Sequence, residues 1–325
     1  TEAYFYPLGL SDEEGIQVVD LTDPNNPELI NEWDLINQSH NIMEYNGYLY
    51  VIGSYDDVNG DGNVSDIIVL DLASDPANPQ YVGEWSGHYL HDVCYHEDVL
   101  YGCGIQDGPN YDDKMFALDI SNPEDISLIS QWEGVYAAHA CWVSEDGNTV
   151  FTGSEFAGGH IMSWDVSNLE NINFLDEWMP ENGETWSAHN LFVKDNYLYI
   201  SYYVYGLQIL DISDPNNLVL AGYYDTIDEI AEGVQSPFDS VWGAYPFFDS
   251  NKTIISDRAN GLYILNFENL LGDINNDGTI NVSDVVLLVN IIFGLNQNID
   301  VADINNDSLI NIFDIIILID IILNN

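Results

Sequence analysis

Two stretches near the C-terminus place oxygen donors at intervals that suit a hard cation. Residues 273–284 read DINNDGTINVSD, with Asp273, Asn275, Asp277 and Asp284 at positions 1, 3, 5 and 12 and Gly278 at the sharp turn. Carboxylate, amide and backbone oxygens in this order wrap a calcium ion, the carbonyl of Thr279 supplying position 7. Thirty residues later the loop recurs over residues 303–314, with donors Asp303, Asn305, Asp307 and Asp314 and the carbonyl of Leu309. Two copies at a fixed interval, each followed by an apolar helical stretch, predict two Ca2+ sites. Position 12 is Asp instead of Glu, and Ser308 stands where the second loop needs Gly, so the second site is expected to bind less tightly. A third acidic stretch, Asp57, Asn59, Asp61, Gly62, Asn63 and Asp66, repeats the D-x-N-x-D-G core without an acid at position 12. It is a further calcium candidate, with a solvated turn as the alternative.

Four histidines form the second constellation. His40, His91, His139 and His189 recur at intervals of 51, 48 and 50 residues, each before an apolar strand, and Trp242 holds the corresponding place in a fifth copy. Imidazoles converging on one axis can bind a transition metal or act as general bases. A histidine that merely bonds backbone carbonyls at the start of each unit would recur in the same way, and repetition favours that reading, because an active site needs different residues in different roles. No G-x-S-x-G, H-E-x-x-H or phosphate-cradling glycine loop occurs, so a non-enzyme is expected.

These residues sit in a longer repeat. GIQVVDLTDPNNPELINEW from Gly15 recurs as DIIVLDLASDPANPQYVGEW, KMFALDISNPEDISLISQW, HIMSWDVSNLENINFLDEW and GLQILDISDPNNLVLAGYY, with a degenerate GLYILNFEN from Gly261. The strand-end residues Asp20, Asp71, Asp119, Asp165, Asp211 and Asn266 lie 46 to 55 residues apart, the length of a four-stranded propeller blade. Asp and Asn side chains that accept from amides two residues on, with Pro fixing φ, end one strand and aim the next. The expected fold is an all-β propeller of about six four-stranded blades over residues 1–269, plus a small α-helical module over 272–325. There are five first strands for six third strands, so the first blade is expected to lack its innermost strand and the last its outermost. An unpaired edge of this kind is a docking site for another chain.

Lys and Arg number 4 against 55 Asp and Glu, a net charge of −51, which repels nucleic acid and anionic lipid. An apolar fraction of 46% with 13% aromatics excludes a disordered chain. The most apolar stretch, residues 310–323, is broken by Asn311, Asp314 and Asp320 and does not read as a membrane span. The chain opens at Thr1, which is read as a mature secreted form, extracellular or at the cell surface. Three cysteines, Cys94, Cys103 and Cys141, do not define a disulfide framework; Cys94 and Cys103 either face each other across the predicted hairpin of residues 91–105 as a disulfide or stay as buried thiols.

The blade motifs AHNLFVKDNYLYISYYVYGLQILDISDP, SHNIMEYNGYLYVIG and VWGAYPFFDSNKTIISDRANGLYIL resemble the LVIVD-repeat propellers of the choice-of-anchor B family. That resemblance covers roughly residues 1–269 and implies a surface or secreted propeller joined to a C-terminal anchoring module. Residues 272–325, a duplicated loop and helix, resemble the dockerin module, which docks onto cohesin domains in extracellular assemblies. The resemblance places partner contacts beside loop position 12, at Val282 with Ser283 and Ile312 with Phe313; these pairs differ from each other and from the common Ser/Thr pairs. The helices VVLLVNIIFG and IIILIDIIL are apolar nearly all round, and a helix of that kind seeks burial on every face. The function expected is structural. Calcium orders the module, and its helices join the propeller to a protein partner, either a second copy of the chain, with a polymer as one outcome, or a cohesin-type domain. The alternative is an enzyme using the channel histidines.

Overall fold

The computed structural model describes residues 2–5, 15–33, 36, 39–58, 60, 65–105, 113–227, 236–248, 250–267, 272–275, 279–295, 300–305 and 309–324. The fold is an all-β propeller of small antiparallel sheets with two C-terminal helices. Contacts divide the chain into two compact units, Thr1–Phe247 with Ile254–Tyr263, and Phe248–Thr253 with Ile264–Asn325.

The strands follow chain order. The first sheet holds β1 (Glu2–Phe5), β2 (Ile16–Asp20) and β3 (Glu28–Trp33). The second holds β4 (Asn41–Tyr45), β5 (Tyr48–Asp56), β6 (Ser65–Asp71) and β7 (Gln80–Trp85), and the third β8 (Asp92–His96), β9 (Val99–Gly104), β10 (Lys114–Asp119) and β11 (Ser127–Trp132). The fourth holds β12 (Ala138–Val143), β13 (Thr149–Ser154), β14 (Ile161–Asp165) and β15 (Asn173–Trp178). The fifth holds β16 (Leu191–Lys194), β17 (Tyr197–Ser201), β18 (Leu207–Asp211) and β19 (Val219–Tyr224), and the last β20 (Val241–Tyr245), β21 (Lys252–Asp257) and β22 (Gly261–Asn266). Four sheets are complete blades. The first and last have three strands each among the described residues, so the expected count of about six is reached only by including both.

Period-two alternation explains why the middle strands read as unbroken apolar runs. In β5, Leu49 and Val51 pack with Ile16 and Trp33 of the first sheet, while Tyr50 and Ile52 pack with Val93 and Leu100 of the third. Each middle strand is thus covered on both faces, and every position in it favours an apolar side chain. At the strand ends, Asp20, Asp71, Asp119, Asp165 and Asp211 each accept from the amide two residues on, at 2.7 to 3.0 Å. Asp23, Asp75, Asn122, Asn168 and Asp214 repeat the same turn a few residues later. These paired Asx turns carry each chain reversal without tertiary help.

The C-terminal unit contains α1 (Val282–Ile292) and α2 (Ile312–Asn324). Their inner faces meet around Leu288, Ile291 and Leu318, with Ile274 and Ile304 from the preceding loops. Among the described residues no helix is long and apolar enough to cross a membrane.

Candidate functional site

The histidines sit where the inner strand of each blade begins, and the backbone aims them. In the second sheet Asn41 faces Ile52, and the amide of His40 donates to the same Ile52 carbonyl at 2.8 Å. His91 and Asp92 share Cys103, and His189 and Asn190 share Ser201. His139 and Trp242 lie at register shifts of the same kind in β12 and β20. Two residues opposite one is a β-bulge, which turns the extra side chain out of the pleat. All five bulged side chains meet in a continuous stack. Ring centroids are 3.7 Å apart for His40 and His91, 4.1 Å for His91 and His139, 4.5 Å for His139 and His189, and 4.3 Å for His189 and Trp242.

Within the stack, His91 Nδ1 faces the His139 carbonyl at 3.3 Å and His189 Nδ1 faces the Trp242 carbonyl. A carbonyl only accepts, so both nitrogens carry hydrogen, and each histidine ties its blade to the next. Burial holds the His91 imidazole down to about 3 and that of His189 to about 4, and it lowers His40 and His139 as well. The rings are therefore neutral at physiological pH. Beside them, Glu155 Oε2 stands 3.3 Å from His139 Nε2, and the Tyr203 hydroxyl donates to Glu155 Oε1.

Deeper in the same unit, a cavity of about 300 Å³ is lined by Asn41, Asp92, Cys141 and Asn190 among others. Burial, with the neighbouring Cys141, raises the Asp92 carboxyl to about 7; Asn41 Nδ2 donates to it at 2.5 Å. The three cysteines are free and buried. Cys94 faces Tyr101 and Cys103 faces Asp92, so the two are not cross-strand partners; both instead contact Cys141 of the next blade. Of the two readings left open for Cys94 and Cys103, the structure has the buried thiols.

The C-terminal loops are near-identical halves. Asp284 and Asp314 are both 0% exposed. Asp284 accepts from the amides of Ile274, Asn275 and Asn281, at 2.8, 3.0 and 2.8 Å. Asp314 accepts from Ile304, Asn305 and Asn311, at 2.9, 3.3 and 2.8 Å. Asn281 caps α1 and completes a capping box with Asp284. The position-7 carbonyls of Thr279 and Leu309 each accept from the following Asn side chain.

Asp273 is also buried, and residues 272–325 contain eight Asp and no Lys, Arg or His. Buried carboxylates need a counter-charge, and the module has no side chain to supply one. An all-oxygen donor set of this kind fits Ca2+, which would be held by Asp273, Asn275, Thr279 and Asp284 in one loop and Asp303, Asn305, Leu309 and Asp314 in the other. Asp277, Gly278, Asp307 and Ser308 lie outside the described residues. So do Asn59, Asp61 and Asn63 of the third acidic stretch. In that stretch Asp57 accepts from the Gly60 amide at 2.8 Å, while Asp66 lies inside β6, not in the loop, and its carboxyl is raised to about 6 by burial. The position of Asp66 within a buried strand weakens the third loop as a calcium candidate.

Residues 271–323 match the dockerin type I domain. The LVIVD repeat matches residues 187–226, from Ser187 just before the inner strand to two residues past the end of β19. None of the curated proteins matches the chain. Among solved structures, a protein from Bacteroides uniformis ATCC 8492 named for 6-phosphogluconolactonase shares the shape with a TM-score of 0.59 at 12% identity, covering 81% of this chain and 77% of its own. A chain of the mitotic checkpoint complex does so at 0.55 and 12%, covering 82% and 78%. At these identities the likeness extends to the propeller fold alone.

The dockerin module carries its apolar surface in duplicate. Val282, Val286 and Phe293 are exposed on or just beyond α1; Ile312, Ile316 and Leu323, thirty residues on, are exposed on α2. Beside position 12, Ser283 and Phe313 are exposed too. All four partner-contact positions named from the sequence thus lie at the surface. Sequence reasoning missed Glu155 and Tyr203. Both occupy the place two residues past the one that faces each bulged side chain, where the other blades carry Ser54, Ile105 and Arg258. Glu155 is the one acid in that series, and aligning the repeats at that position is the signal that finds it.

Proposed function

We infer that this protein is an extracellular, non-enzymatic assembly component, with a dockerin module that presents a propeller to a protein partner when loaded with calcium. The observation that carries the reading is the duplicated apolar stripe on α1 and α2. Leu288 and Leu318 fill the module's own core, yet Val282, Val286, Phe293, Ile312, Ile316 and Leu323 stand in water. Exposed apolar side chains repeated on two helices mark an interaction surface. Calcium sets the loop that starts each helix, so it sets the spacing of the two stripes. A cohesin-type domain is the partner that the dockerin match supports.

Self-assembly is the second reading, favoured by one further feature. Among the described residues no strand pairs with the outer edge of β22, and Leu262 and Ile264 on it are exposed. An open edge with apolar side chains accepts a strand from another chain.

Light scattering on the purified protein, in calcium and then in excess EDTA, tests both. Large particles in calcium that dissolve in EDTA support self-assembly. A monomer in calcium that captures a cohesin-type domain supports the dockerin reading, and Ile312→Asp should weaken that capture at least tenfold without lowering the module's melting temperature. A calcium-loaded monomer that binds neither overturns the assembly function.

A further inference from the structure

The hydrogen-bond logic of the histidine stack fails at one place, between His139 and Glu155. His91 and His189 each carry hydrogen on Nδ1, since each faces a carbonyl. His139 Nδ1, by contrast, is buried without a hydrogen-bond partner. If His139 keeps the tautomer of its neighbours, its Nε2 lone pair faces the Glu155 carboxylate at 3.3 Å, acceptor against acceptor. If Nε2 carries the hydrogen instead, it donates to Glu155, and the lone pair on buried Nδ1 is left without a donor. Neither neutral form satisfies both nitrogens. Charging the ring would pair Nε2 with the carboxylate, but it is 3% exposed and stacked between two other imidazoles.

A third acceptor completes the arrangement. With His91 Nδ1 engaged by the His139 carbonyl, its Nε2 is the lone-pair nitrogen. One ligand atom each from His91, His139 and Glu155 lies within 4.8 Å of the others. We propose that these three residues form a binding site for one zinc-class divalent transition cation at the channel end of the third and fourth blades. Two donors on one tetrahedral ion, with bonds of about 2.0–2.2 Å, stand roughly 3.3–3.6 Å apart. His139 and Glu155 already have this spacing, and His91, whose ligand atom lies within 4.8 Å of the other two, reaches it by a side-chain movement of at most about 1.5 Å.

The surroundings fit a metal better than an ion pair. The Tyr203 hydroxyl donates to the other Glu155 oxygen, orienting the carboxylate as outer-shell partners of metal ligands do. Ala137 at φ 48° and Tyr203 at φ 37° hold left-handed backbone on either side of the site, a strain tolerated where function requires it. Two nitrogens and one carboxylate select a borderline cation over calcium, and three protein ligands leave a coordination position for water or a small ligand.

The test uses the full chain with calcium in excess, so that the oxygen loops are filled before cobalt(II) is added as a visible probe. One equivalent of Co2+ with ligand-field absorption is expected, displaced by zinc. His139→Gln and Glu155→Gln should each weaken it at least 100-fold, and Tyr203→Phe about tenfold. His160→Gln, which removes an exposed histidine paired with Glu177 at 3.1 Å, should change nothing. Melting curves in calcium establish that each variant is folded, and His91→Gln replaces any that is not. The site is refuted if the wild-type chain takes up no Co2+ in calcium, or if the folded variants bind it as tightly as wild type.

Discussion

The propeller and the dockerin module are both built from repeats, yet they satisfy their polar groups by opposite means. In the propeller, the Asx turns find their partners in the backbone of their own blade, and His91 and His189 find theirs in the backbone of the next. In the module, six backbone amides converge on two buried carboxylates and no cationic side chain answers them. The first arrangement is made largely within the folded chain. The second leaves buried carboxylates for a cation from solution to answer, so the module is expected to depend on calcium more than the propeller does.

Chelation draws that contrast most sharply. Each loop with calcium a thousandfold above its Kd gains about 4 kcal/mol, a large share of the stability of a unit this small. Calorimetry in EDTA should show the dockerin transition lost or moved far down in temperature, with helical circular dichroism falling, while the propeller transition barely moves. Equal shifts in both would mean that calcium also holds the propeller together, reopening the stretch from Asp57 to Asp66.

Core truncations sharpen the same comparison. Phe151→Ala, in the layer between the fourth and fifth sheets, should cost about 3–5 kcal/mol and lower the propeller transition alone. Leu318→Ala should cost about 2–5 kcal/mol in the module, and saturating calcium should recover part of it. A single merged transition in either variant would show that the two units unfold together.

The smallest effect concerns acid. Hydrogen bonds from Ser121 hold the Asp119 carboxyl below its ordinary value of 3.8, as those from Thr22 do for Asp20. A carboxyl lowered in the folded state adds stability that is present above the unfolded value and is lost as pH falls through the folded one. The propeller should therefore lose stability below about pH 4, and Asp119→Asn should flatten the melting temperature slightly between pH 5 and 3. A slope unchanged by Asp119→Asn would mean that this turn contributes nothing to acid sensitivity.

Features whose partners lie within a few residues were legible in the sequence. The paired Asx turns are local patterns of this kind, and each has its structural counterpart here. The three-stranded ends follow from counting strands, because a missing strand leaves no motif to count. Less legible were Glu155 and Tyr203, which belong to different blades and meet only because adjacent sheets bring their rims together. The cysteines were left undecided for a related reason: Cys94 and Cys103 are near in sequence, but the register sets them opposite Tyr101 and Asp92, and their common neighbour Cys141 comes from the next blade.

By itself, then, the sequence determined the blade repeat, the duplicated acidic loops and the strongly negative charge, because Asp, Asn, Gly and Pro act on their own backbone over short range. Only the tertiary structure decided which acceptors the histidine stack leaves facing one another, and which faces of two almost wholly apolar helices remain in water. Those outcomes depend on how strands bulge and how helices pack, and residues of the same type come to play different parts according to what stands across from them.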